Sequence, residues 1–103
     1  MIYFYGRVSA RDQNLARQLS AARAYAEFSE ENIYCDKESG KNFERANYQK
    51  LKAVLCSGDE LVIKELDRLG RNKEEIKKEL EWMRKQGVIV RVLDLPTTLM
   101  KFP

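Results

Sequence analysis

Histidine is missing from all 103 residues. Its absence removes the Ser-His-Asp triad, the Cys-His pair, the histidine-bearing zinc sites and any imidazole switch near neutral pH. Cysteine occurs twice, at Cys35 and Cys56. That is too few for a zinc site or for a disulfide framework, so both are expected as reduced thiols, in the core or near the surface, of a cytosolic protein. No apolar run approaches the roughly 18 residues of a membrane span. The first residues run into Arg7 without a signal-peptide pattern, so a cytoplasmic location and no membrane partner are expected. Charge of one sign is also in short supply: 19 basic residues stand against 16 acidic ones, a net +3. That is weaker than a dedicated nucleic-acid coat carries, and no polybasic tail is present. There is no Gly-x-Gly-x-x-Gly, and Gly40-Lys41 lacks the earlier glycine of a P-loop, so nucleotide cradles of those types are excluded.

What is present is enough for one small domain. Apolar residues make up 44% of the chain, the level of a globular protein, and charged residues 34%, above the usual quarter or so. Ile2-Tyr3-Phe4-Tyr5, ended by Gly6, reads as a buried first strand. A helix follows from about Asp12 to Phe28, with Leu15, Leu19, Ala22 and Ala26 on one face. Asn32–Cys35 reads as a second strand. Arg45–Cys56 reads as a second helix, striped by Tyr48, Leu51, Val54 and Leu55 and stopped near Gly58. Leu61–Ile63 is a third strand. A third helix opens at Asn72, with Glu75 completing a capping-box pattern; Ile76, Leu80 and Met83 face inward and Gly87 ends it. Val88–Leu93 is the fourth strand.

This alternation predicts an α/β fold: a single three-layer domain whose mainly parallel sheet of four to five strands, in flavodoxin-like order, carries helices on both faces. Ligands of such sheets bind beyond the C-terminal ends of the strands. Three segments are expected there as loops: Gly6 to Asp12, Asp36 to Asn42 and Leu66 to Asn72. They carry Ser9, Arg7, Asp36, Ser39, Asp67, Arg68 and Arg71, with Arg45 just after the second. Each has an ordinary reading when taken alone. Ser9 with Asp12 fits a helix cap, Asp67 can pair with a neighbouring arginine on the surface, and Asp36–Lys41 can be a plain polar loop. Arg71 resists its ordinary reading. A cation beside a helix N-terminus is unfavourable unless an anion sits between them. Planar guanidinium groups match phosphate oxygens, and fixed positive charge can stabilise a phosphodiester that gains negative charge under attack. Serine needs a base to act as a nucleophile, and none is evident.

At these residues the chain resembles the catalytic domain of the serine site-specific recombinases, the resolvase/invertase family. Tyr5-x-Arg7-Val8-Ser9 with Gln13-Asn14, Asp36-x-x-Ser39-Gly40 with Arg45, and Leu66-Asp67-Arg68-Leu69-Gly70-Arg71 match three family motifs in order and spacing, over about residues 1–95. Gly6 and Ala10 stand where family members often have alanine and threonine. The resemblance implies a resolvase-like fold and a metal- and ATP-independent reaction, with no cofactor, on double-stranded DNA. Ser9 would attack a phosphodiester to form a 5′-phosphoserine link and free a 3′-OH. Arg7, Arg45, Arg68 and Arg71 would hold the phosphate, Asp67 would be the candidate proton donor to the leaving oxygen, and Gln13, Gln18, Asp36 and Ser39 would bind or orient the DNA. Strands would be exchanged in a tetramer built from homodimers of the full-length protein and religated by reversal. The family's long dimerisation helix and DNA-reading domain are expected to lie outside residues 1–103, leaving a catalytic domain that is inactive or weak as an isolated fragment. The alternative is a non-catalytic α/β domain that binds a phosphate-bearing ligand or serves as an interaction module.

Overall fold

The aromatic run at the start of the chain is the spine of the sheet. The computed structural model describes residues 1–9, 15–38 and 45–95, apart from the side chains of Val8, Ser9 and Glu38. Its elements are β1 (Ile2–Ser9), α1 (Leu15–Tyr25), β2 (Ile33–Glu38), α2 (Ala46–Val54), β3 (Glu60–Ile63), α3 (Lys73–Gln86) and β4 (Ile89–Val92). Single 3₁₀ turns cover Glu30–Asn32 and Leu66–Arg68. The four strands pair in the order β2-β1-β3-β4, all parallel. This is the expected α/β architecture, with β1 at the centre.

Strand alternation divides the core into two layers. Tyr3 and Tyr5 turn to one face, where they pack with Tyr48 and Leu51 of α2, Met83 of α3, and Leu61 and Ile63 of β3. Phe4 turns to the other face with Val62 and Ala22 of α1, and its ring stacks on Phe28 with centroids 6.1 Å apart. Fully burying a side chain of this size stabilises by roughly 1.5–3 kcal/mol, so the two layers supply most of the driving force. Helices α2 and α3 thus cover one face and α1 the other.

Two boundaries differ from expectation in a way that moves the site. The first strand does not stop at Gly6 but runs through it to Ser9, and the second runs on to Glu38. Gly6 is there for close approach rather than for a turn: a Cβ on it would lie 2.8 Å from Leu15 Cδ1 and 3.1 Å from Gln18 Oε1. Both extensions are mostly polar, and polarity reads as loop. Pairing shows the same division. Ile2–Phe4 of β1 pair with Glu60–Val62 of β3, whereas Phe4–Ser9 pair with Ile33–Glu38 of β2. β3 ends at Ile63 while β1 runs on to Ser9, so this end of the sheet, where the strand order reverses, is the switch point at which open parallel sheets form a crevice. Among the described residues no helix is long and apolar enough to cross a membrane.

The segment from β3 to α3 is pressed onto the helix it precedes. Asn72 caps α3 through Oδ1, which accepts the Glu75 N–H at 2.9 Å, and Gly87 closes it in the left-handed region at φ 77°. At Gly70 a Cβ would come 2.6 Å from Glu75 Cβ and 2.9 Å from Ile76 N, which is backbone and cannot swing aside. Gly70→Ala is therefore expected to lower stability by about 1–3 kcal/mol, read as a lower urea midpoint at unchanged slope.

Candidate active site

Three separate stretches of sequence meet at the crevice, and one carboxylate organises two of them. Asp36, on β2 in register with Arg7 of β1, is buried and accepts three hydrogen bonds. Tyr5 Oη donates at 2.9 Å, Asn47 N at 3.0 Å and Tyr48 N at 2.9 Å. Asp36 thus caps the N-terminus of α2 from a neighbouring strand, where a negative charge meets the helix's positive end. Burial, followed by the charge of Asp36, pushes the Tyr5 hydroxyl far above its ordinary pKa, so Tyr5 stays a donor at any working pH.

Arg45 precedes α2 and inherits its position from that cap. Its guanidinium carbon lies 4.2 Å from the Tyr48 ring centroid, a cation–π contact, and Nη1 donates to the carbonyl of Arg68 at 3.2 Å. Arg7, only 8% exposed, reaches across the crevice from β1 so that Nη2 donates to the carbonyl of Asp67 at 2.7 Å. Two arginines from different motifs are therefore fastened to adjacent carbonyls of the 3₁₀ turn that carries the third motif. A carbonyl fixes the direction of a guanidinium without removing its charge.

The remaining expected residues distribute as follows. Arg68 is 16% exposed, with Nη1 3.6 Å from Asp67 Oδ1, and its buried Nε has no hydrogen-bond partner. Gln18 is buried on α1, with Nε2 at 3.5 Å from the carbonyl of Arg7 and an unpartnered Oε1. Arg71 stands apart: its guanidinium is more than half exposed and pairs with Glu75 at 3.7 Å, while its N–H donates to the same carboxylate at 2.8 Å. The anion required between Arg71 and the start of α3 is thus present in the chain itself. Ser9 is the last residue of β1, its backbone in register with Glu38. Arg7, Ser9 and Asp36 lie on strands rather than on the loops expected for them. Gln13 and Ser39 lie outside the described residues. Among the described residues, no three His, Cys, Asp or Glu side chains come together as a metal site would need.

Sequence reading missed a supporting layer. Tyr48 Oη donates to Glu79 Oε1 at 2.6 Å, and Lys52 Nζ meets the same oxygen at 2.9 Å while lying 4.5 Å from the Trp82 ring centroid. This network ties α2 to α3 beneath Arg45. The available signal was tyrosine, rather than phenylalanine, at buried positions, because a buried hydroxyl demands a partner.

Comparison with known proteins gives a consistent picture. The family model described as Resolvase, N terminal domain, matches residues 2–101. The DNA-invertase of Escherichia phage P1 is 39% identical over 93 residues, which are 90% of this chain and 48% of that protein. The Transposon Tn3 resolvase of Escherichia coli is 34% identical over 93 residues, 90% of this chain and 50% of that protein. The Transposon Tn501 resolvase of Pseudomonas aeruginosa is 32% identical over 89 residues, 86% and 45% respectively. The chain spans about half the length of the curated relatives it matches.

Removing the Asp36 carboxylate leaves two helix N–H groups and the Tyr5 hydroxyl without their acceptor. Asp36→Ala should cost about 2–4 kcal/mol, and amide exchange should quicken in the first turn of α2 more than in α3.

Proposed function

The chain belongs to the resolvase N-terminal domain family, and from that premise we propose that it is the catalytic domain of a DNA site-specific recombinase using a serine nucleophile. The observation that carries the reading is the meeting of three motifs at one crevice, through Arg7 on the Asp67 carbonyl and Arg45 on the Arg68 carbonyl. Relatives named DNA-invertase and resolvase support the same assignment.

In this mechanism the Ser9 Oγ attacks phosphorus of a DNA phosphodiester. The Oγ–P bond forms and the P–O3′ bond breaks, leaving a 5′-phosphoserine link and a free 3′-OH. The serine proton passes to a base that no residue here identifies. Asp67 is the candidate proton donor to the leaving 3′ oxygen. The phosphate gains negative charge as the nucleophile adds, and Arg7, Arg45 and Arg68 are the cations that stabilise it, with Arg71 joining from the start of α3. Gln18, at the carbonyl of Arg7, orients the strand end, together with Gln13 and Ser39. Asp36 acts through α2 by holding Arg45. Because the ester link to Ser9 conserves the bond energy of the phosphodiester, the broken strand can be resealed by reversal, with neither ATP nor a metal ion required by this scheme. Double-stranded DNA is the substrate, and exchange between strands takes place in a tetramer assembled from homodimers of the whole protein.

The test is covalent trapping on duplex DNA labelled at the 3′ end, run on a denaturing gel. The full-length protein should give a slowly migrating protein–DNA band, and its Ser9→Ala variant should give none while unfolding at the same temperature to within a few degrees, since the change removes one hydroxyl at the end of β1. A band that persists in Ser9→Ala would move the nucleophile elsewhere. If instead neither protein forms a band but both bind DNA, the non-catalytic anion-binding alternative takes its place.

A further inference from the structure

On the α1 side of the crevice, opposite Arg7 and Arg45, lies a cleft of about 190 Å³ lined by Arg17, Gln18, Lys64, Glu65 and Arg68. Arg17 and Lys64 belong to none of the three motifs. Arg17 is exposed on α1, next to buried Gln18, and Lys64 follows β3 directly. Arg68 borders both sides of the crevice: its backbone carbonyl receives Arg45, and its side chain lines this cleft. We propose that the cleft is a second phosphate subsite, in which Arg17 and Lys64 hold the DNA phosphate one step along the strand from the one attacked, with Arg68 placed between the two. The assignment rests on the recombinase reading.

Three observations carry it. First, three of the five lining residues are cations, gathered from α1, β3's end and the 3₁₀ turn, at the switch point where open parallel sheets bind ligands. Second, Arg68 Nε is a buried donor with no partner. A buried charged N–H without an acceptor is costly, and a phosphodiester oxygen supplies one. Third, the counter-charges are partial. Lys64 pairs with Asp94, but that lysine and aspartate are 32% and 42% exposed, so the pair is weak and can be exchanged for a phosphate. Glu65 is the one carboxylate in the lining, which leaves the cations in excess. Gln18 Oε1 needs a donor, which a phosphodiester lacks, so Gln18 is left out of the phosphate contacts.

The experiment is fluorescence anisotropy with a short duplex oligonucleotide, repeated between about 50 and 200 mM salt. Each phosphate neutralised steepens the fall of log affinity with log salt by about 0.9. Losing one phosphate should therefore make the slope of Arg17→Gln/Lys64→Gln shallower by about 0.9. The charge-preserving Arg17→Lys/Lys64→Arg should keep the native slope, and so should Arg23→Gln, which removes a charge from the last turn of α1 outside the cleft. An unchanged slope in the Gln/Gln protein overturns the proposal. So does an equal change in Arg23→Gln, or native binding that shows no salt dependence. The recombinase reading fails separately: a slope change with no covalent product from the full-length protein would leave a phosphate-binding cleft on a protein that is not a recombinase.

Discussion

Asp36 accepts from a strand tyrosine and from two helix N–H groups at once, and much of the crevice follows from those three bonds. They fix where α2 begins. That sets the Tyr48 ring, the ring sets the Arg45 guanidinium, and the guanidinium reaches the turn after β3. A buried carboxylate is expensive unless its oxygens are satisfied. Here both oxygens are used and a helix N-terminus faces them, so the arrangement is stable only in one geometry. The same demand holds Tyr5 protonated, because both burial and the neighbouring charge oppose a phenolate. Rigidity at this point is what a phosphoryl-transfer site needs, since positive charge must already be in position when the transition state forms.

Crowding arginines around one crevice works against folding, and the chain offsets it locally. Arg7 and Arg45 end on carbonyls whose partial negative charge favours them, and those carbonyls sit in a short 3₁₀ turn, where backbone acceptors are less fully used than in a long helix. Arg71 is answered by Glu75 from the first turn of α3. That carboxylate also suits the helix dipole. Arg68 keeps a buried Nε without a hydrogen-bond partner. A donor that the protein leaves unsatisfied therefore sits between the two halves of the crevice, where a bound phosphate would satisfy it. Natural sequences tend to be locally inconsistent where they function.

The alternation of apolar strands and amphipathic helices was enough to read the parallel α/β sheet, and the caps at Asn72 and Gly87 could be read as local chemistry. The sequence signal failed where polarity and glycine stand for something other than a loop. Gly6 reads as a strand end because glycine usually punctuates, yet its missing Cβ admits Leu15 and Gln18 against a continuing strand. Asp36 reads as the start of a loop because an aspartate seldom sits in a buried strand, yet its partners come from a helix eleven or twelve residues on. Motif spacing could say that Arg7, Arg45 and Arg68 belong to one site. It could not say that backbone carbonyls join them, because any residue can supply a carbonyl. Glu79 and Lys52 were invisible for a similar reason: on paper they are two ordinary charges on exposed helix faces.

The placement of charge on both sides of β1 bears on how a domain with a net charge of only +3 could engage a polyanion. Long-range steering needs a large net charge, which this chain lacks. Several of its cations, Arg7, Arg17, Arg45, Lys64 and Arg68, instead gather at one end of the sheet, close to the switch point. Short-range fields in a partly buried crevice are screened far less by salt than those of an exposed patch. Such a site gains little from attracting DNA at a distance. Under the two proposals it gains from holding a backbone brought to it, with one phosphate against Arg7 and Arg45 and its neighbour against Arg17 and Lys64. Two adjacent contacts on a strand fix its direction as well as its position. Under the proposed function a nucleophile at the end of β1 would require that direction, because only one of the two ester oxygens of a phosphodiester can stand opposite the attacking oxygen.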